Sequence, residues 1–174
     1  PPDLRKDFVR NLVRCARHFV ILGAPFYSEN NELAEKILYE YIFKLLHSKH
    51  EQLQEHIDNR LPDPKGLESF IYNEKLDFTI INSGNINNWL LLMMFKHQLI
   101  AMPDSEKLHR DVDRFLNKTV YQSDHSGPTY RKVFVIAKES RGKKTLSLID
   151  SHFRKYSENN GQFLLANNNL DCFR

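Results

Sequence analysis

Six consecutive small or apolar residues, Phe19-Val20-Ile21-Leu22-Gly23-Ala24, follow directly on a charged, helix-forming stretch. A strand with one face in water alternates apolar and polar residues. An unbroken apolar run instead fits a strand covered on both faces, as in a parallel sheet sandwiched by helices. Pro25 has no backbone N–H to donate and ends the ladder. Upstream, Leu4, Phe8, Leu12, Val13 and Ala16 recur at helical spacing, with Arg5, Lys6, Arg10, Arg14 and Arg17 on the other faces. Asp3 is the expected cap of that helix, and Pro1 and Pro2 stiffen its approach. An exposed edge on so apolar a strand invites aggregation, so another chain or a further segment is expected to cover it. The first methionine is Met93, which adds to the expectation of a piece of a longer protein.

Beyond Pro25, the turn through Tyr27 and Ser28 leads into a helix with Leu33, Ala34, Ile37, Leu38, Tyr41, Ile42, Leu45 and Leu46 on a wide stripe. Short helices are expected around Gln52 to Asn59 and Lys65 to Asn73, separated by Leu61-Pro62-Asp63-Pro64. Asp77 to Asn82 is a second strand, and Ser83, Gly84 and Asn85 form a turn. Two helices follow, about Asn87 to Ala101 and Ser105 to Val120, divided at Pro103 and forming a helical insertion over about 86–122. The run Trp89 to Phe95 falls far short of the ~20 residues that span a bilayer and reads as a buried core helix. Tyr130 to Lys138 is a third strand, and Leu146, Leu148 and Ile149 suggest a short fourth. The alternation predicts an α/β fold with a mixed sheet over 1–140 and a tail of unassigned structure over 141–174, with a polar break at Asn167 to Asn169.

A net charge of +3 is too small a surplus to argue for nucleic acid, which is not expected as a partner. The basic groups at Arg14 and Arg17, at Arg131 and Lys132, and at Arg141, Lys143 and Lys144 read as solvated faces. The two cysteines, Cys15 and Cys172, make no disulfide framework and point to a reducing cytoplasm. His47 and His50 could share a helix face, but no further ligand is spaced to complete a metal site. Asp150, Ser151 and His152 lack a nucleophile elbow and are read as a chance grouping.

Pro2, Arg5, Phe8, Leu12 and Arg14, then Val20 to Phe26, follow the order Pro-x-x-Arg, Phe, Leu-x-Arg and a strand ending Ala-Pro-Phe. Downstream come Ala34-Glu35, the Leu-x-Glu-His of Leu53, Glu55 and His56, and Leu61-Pro62. In this order the chain resembles the C-terminal half of a class I, Rossmann-like S-adenosylmethionine-dependent methyltransferase. The resemblance covers about Pro1 to Pro62; beyond it, the two later strands would be the antiparallel pair that finishes the family's seven-stranded sheet. It implies S-adenosylmethionine as the donor of the parent protein. The family grips that donor with a glycine-rich turn and an acidic residue ending the next strand. None of the 6 glycines here forms such a turn, so no cofactor-binding residue is carried over and none is expected in this chain alone.

Ligands of open α/β sheets bind beyond the carboxyl ends of the strands. That rule makes Pro25, Phe26, Tyr27 and Glu35 the candidate substrate-binding residues, with a small molecule or glycan as acceptor. The alternative is that Phe26 and Tyr27 only pack the helix onto the sheet, and that Glu35 only favours the helix dipole. His56 and Glu55 are the candidate catalytic pair, His56 as general base, against the alternative of a solvated helix end. A rival reading is a non-catalytic α/β interaction module that self-associates or binds partners through the uncovered strand edge or the Trp89 to Phe95 helix. A third is a binder of phosphate backbones.

Overall fold

The computed structural model describes residues 4–120 and 123–158. Asp3, Cys172 and the Asn167 to Asn169 break lie outside them. Helices α1 (Arg5–Cys15), α2 (Glu29–Glu40), α3 (Glu51–Asn59) and α4 (Pro64–Asn73) surround strand β1 (Phe19–Pro25) in the first half. Strand β2 (Asp77–Asn85), helices α5 (Ile86–Ile100) and α6 (Glu106–Thr119), strand β3 (Thr129–Ala137) and helix α7 (Lys143–Glu158) complete the order. α2 continues through one wider, π-helical turn at Tyr41–Leu45.

The sheet has three strands in the order β1-β3-β2. β3 is antiparallel to both neighbours: Ala137 lies between Phe19 and Asp77, and Phe134 between Leu22 and Ile80. The α/β class holds and β2 pairs antiparallel with β3, as anticipated for the two later strands. The mixed sheet does not hold, because every pairing among the described residues is antiparallel. β1 and β2 point the same way, but β3 enters between them, so β1 has no parallel partner there. Its other edge bears no strand among the described residues.

Burial explains why an unbroken apolar run is tolerated in this setting. On one face, Val20, Phe26, Phe134 and Ile136 meet Val9 of α1 and Phe70 and Ile71 of α4. On the other, α7 lies over β2 and β3, with Leu146 packed on Val135 and Ala137. α7 does not extend over the middle of β1, and Ile21 is left 71% exposed. The stripe of α1 divides in the same way. Val9 is buried and Leu12, Val13 and Ala16 pack beside it, while Leu4 and Phe8 are more than half exposed.

Several expectations are corrected. The short strand at Leu146 to Ile149 is the first half of α7, so much of the 141–174 tail is a helix docked on the sheet. Ser83 to Asn85 extend β2 rather than turn away. Gly84 takes φ +75° there, the Asp124 carboxylate accepts from the backbone N–H of Gly84 and Asn85, and Asn85 caps α5. The Trp89 to Phe95 segment is only half-buried, with Leu91 and Phe95 turned outward. Leu4 holds the cap position of α1 without a side-chain bond.

Candidate active site

The chain leaves β1 at Pro25 and enters α2 through Ser28, whose Oγ accepts from the Asn31 backbone N–H at 3.1 Å. Asn31 is itself buried, and its side-chain amide donates to the carbonyls of Phe26 (2.7 Å) and Tyr130 (3.0 Å). One side chain thus ties the end of β1 and the start of β3 to the first turn of α2. One turn further along the same helix face stands Glu35.

The Glu35 side chain is only 3% exposed, and burial of a carboxylate demands partners. It has two on one oxygen: the Tyr130 hydroxyl donates to Oε1 at 2.5 Å, and His56 Nδ1 lies 2.7 Å from the same atom. With Glu35 as a carboxylate, which only accepts, the contact assigns the proton of a neutral His56 to Nδ1 and leaves Nε2 as the lone-pair nitrogen. Burial first, and then the Glu35 bond and charge, push the Tyr130 phenol far above its ordinary range, against a small opposing effect of Arg131. Tyr130 therefore remains a donor at any physiological pH. Its ring is held by Trp89, at 3.7 Å between centroids and 19° between planes. His56 is positioned by α3, which Leu53, buried one turn earlier, anchors against Leu38 and Ile42.

The expected site residues separate into three groups. Glu35 and His56, 21 positions apart, are brought into direct contact. Tyr27 is exposed and shares with them a narrow space of about 20 Å³, together with Glu32, Lys36 and Arg60. Phe26 instead packs in the core, 5.1 Å from the Phe134 ring centre, and Pro25 ends the strand beside it. Glu55 is exposed and faces another cleft, with Tyr39, His50 and Asp58. Sequence reasoning missed Tyr130, Asn31 and Trp89. Tyr130 is 95 positions from Glu35, and no spacing rule joins the two.

A larger, mostly apolar cavity of about 510 Å³ opens beside β1, lined by Leu4, Phe8, Val9, Leu22, Phe26 and Leu67 among others. His50 caps α3 and its ring lies against His97, and Asp150 is engaged by Arg154 while the Ser151 hydroxyl donates within its own helix. Among the described residues no group of three potential ligands could hold a metal ion, and no helix is long and apolar enough to cross a membrane. No protein-family model, curated protein or solved structure matches the chain.

Proposed function

We propose that the chain is the closing portion of an S-adenosylmethionine-dependent methyltransferase, in which the region after β1 forms the acceptor side. The observation that carries this reading is the edge of β1 that bears no strand among the described residues, in an apolar strand whose Ile21 is exposed, as are Leu4 and Phe8 at α1. A strand of that composition calls for a further strand beside it, which is where the sheet of such an enzyme would continue. The order helix, strand, helices, antiparallel pair with a helical insertion is compatible with the Rossmann-like ending that the motifs suggest.

The residues present do not fit the methyl donor. Gly23 sits within the β1 ladder, where an added Cβ would meet the Val133 side chain at 3.6 Å, an ordinary packing contact rather than a cradle for a ligand. The donor pocket belongs, on this reading, to chain that pairs with β1. The acceptor side is left with Tyr27, Glu35 and His56; Glu55 points elsewhere. Cys15, free and exposed, suits a reducing cytoplasm.

Calorimetry tests the proposal. The expected outcome is no measurable heat from S-adenosylmethionine with this chain and saturable binding with a protein extended through the upstream reading frame. Tight binding by this chain alone would overturn the division of labour, and no binding by the extended protein would overturn the methyltransferase assignment.

A second reading rests on a different observation. Leu91, Phe95, Leu108 and Phe115 are all exposed on the paired helices α5 and α6. That surface suits a non-catalytic interaction module, and it would persist after β1 is covered.

A further inference from the structure

We propose that Glu35, Tyr130 and His56 form a general-base assembly that takes a proton from an alcohol hydroxyl at His56 Nε2. This deepens the acceptor-side reading above and rests on it.

Three features separate the cluster from a merely satisfied core carboxylate. The first is asymmetry: Glu35 is buried on α2, whereas the His56 side chain is 31% exposed. The carboxyl group is held inside, and the imidazole ring reaches the surface. The second is the fixed tautomer. The 2.7 Å contact to Nδ1 and the 2.5 Å donation from Tyr130 leave Nε2, across the ring from Glu35, as the acceptor. No described residue bonds to it. The third is size. The space shared by Tyr27, Glu35, Lys36, His56 and Arg60 is about 20 Å³, room for one oxygen-sized group. A hydroxyl fits there; the ring or chain bearing it must lie outside, against Tyr27.

The proton balance is simple. The hydroxyl O–H bond breaks, an N–H bond forms at Nε2, and the electron pair remains on oxygen. The imidazolium so formed faces the Glu35 carboxylate across the Nδ1 contact. An acceptor already ionised, such as a carboxylate, would need no such base, so the arrangement points to an alcohol, a sugar hydroxyl included. Tyr130 and Glu35 are positioning residues. Tyr130 occupies one share of Oε1 and steers the carboxylate, and Trp89 and Asn31 hold Tyr130 in place. The charged and titratable groups around His56 are Glu35, Glu32 and Lys36 on α2, Tyr130 on β3, and Tyr27 and Arg60 at the rim. Lys36 is engaged by Glu32 at 3.2 Å.

The test is nitrogen NMR of the full chain with its histidines labelled. Wild type shows His56 as the Nδ1–H tautomer when neutral, and added methyl glucoside moves the Nε2 resonance. Glu35→Leu with Tyr130→Phe makes both buried partners apolar together and so avoids stranding either one. The double variant loses the Nδ1–H preference and its response to methyl glucoside weakens about tenfold, the loss of one hydrogen bond. An Nε2–H tautomer in wild type overturns the proposal without any variant. So does an Nε2 signal that responds to acetate or phosphate but not to methyl glucoside. A failure of S-adenosylmethionine to bind the extended protein is read separately, by calorimetry, and would remove the methyltransferase assignment while these spectra decide the base.

Discussion

Tyr130 lies nearly flat on Trp89, their ring centres 3.7 Å apart, so an aromatic stack at the start of α5 fixes the hydroxyl that meets Glu35. The stack joins the helical insertion to the candidate active site. Trp89→Ala is expected to lower stability by about 3 kcal/mol, through lost burial and ring contact. Urea unfolding measures the loss, and the His56 ring signal should broaden in the same variant as Tyr130 gains freedom.

Asn31 gives a second test of how the site is held. Its amide satisfies two carbonyls that have little access to water. Asn31→Ala removes both bonds at once, with an expected cost of about 1–3 kcal/mol. Serine at the same place cannot span both carbonyls and should recover little. Thermal melts followed by circular dichroism distinguish these outcomes from the null of an unchanged midpoint.

The Tyr130 phenol sets an alkaline limit. Folded Tyr130 keeps its proton above the ordinary tyrosine value of about 10, whereas the unfolded chain releases it there. The folded state then binds more protons, so the stabilisation is complete below about pH 10 and is lost as pH rises beyond it. Tyr130→Phe should flatten that part of the curve, and the difference between the two proteins' stability profiles is the measurement.

His97 supplies the opposite sign. Burial lowers its basicity first, followed by the neighbouring His50 and Lys96. A histidine depressed in the fold stabilises above its ordinary value of about 6.5, and that contribution is lost as pH falls through the lower folded value. His97→Gln should retain more of its stability in mild acid than wild type does.

Gly142 is a test of close packing. A Cβ there would stand 2.6 Å from the Ala137 Cβ and 3.1 Å from the Phe19 ring, where β1 and β3 meet the start of α7. Gly142→Ala is expected to cost about 1–3 kcal/mol by overpacking. An unaltered denaturation midpoint would mean that α7 can shift freely on the sheet.

The uncovered edge makes a prediction about the whole particle. Phe8, which lines the apolar cavity, is 56% exposed, and Ile21, on the opposite face of β1, is 71% exposed. Light scattering should show self-association that rises with concentration. Ile21→Lys, which places a charge on the exposed face of the edge strand, should move the chain toward monomer with little loss of folded signal.

The elements that periodicity could reveal were legible: α1, α2, α5, α6 and the cores of all three strands lie near their expected positions. Strand pairing was not. The unbroken run at β1 signals burial on both faces, yet part of that burial is withheld because α7 lies mainly over β2 and β3 and meets β1 at Phe19, leaving Ile21 exposed. The same limit explains α7 itself. Leu146 and Ile149 keep helical spacing, but Leu148, two residues after Leu146 with Ser147 between them, imitates the alternation of a strand. At the site, Glu35 and His56 stood out as residue types, whereas their contact depends on α3 folding back over α2. Tyr130 was visible only as the opening residue of a strand. Its role depends on the register that sets Thr129 opposite Asn85 and so brings the start of β3 to the entrance of α5.

The order β1-β3-β2 also dictates when the sheet can exist. Its middle strand is made last, more than a hundred residues after Phe19, so β1 and β2 leave the ribosome before the strand that pairs with both of them. Synthesis runs at about 5–20 residues per second, which leaves the apolar β1 waiting several seconds for Thr129–Ala137 to arrive. A stall or cleavage before that strand would release a chain with two orphaned strands, a natural substrate for chaperones.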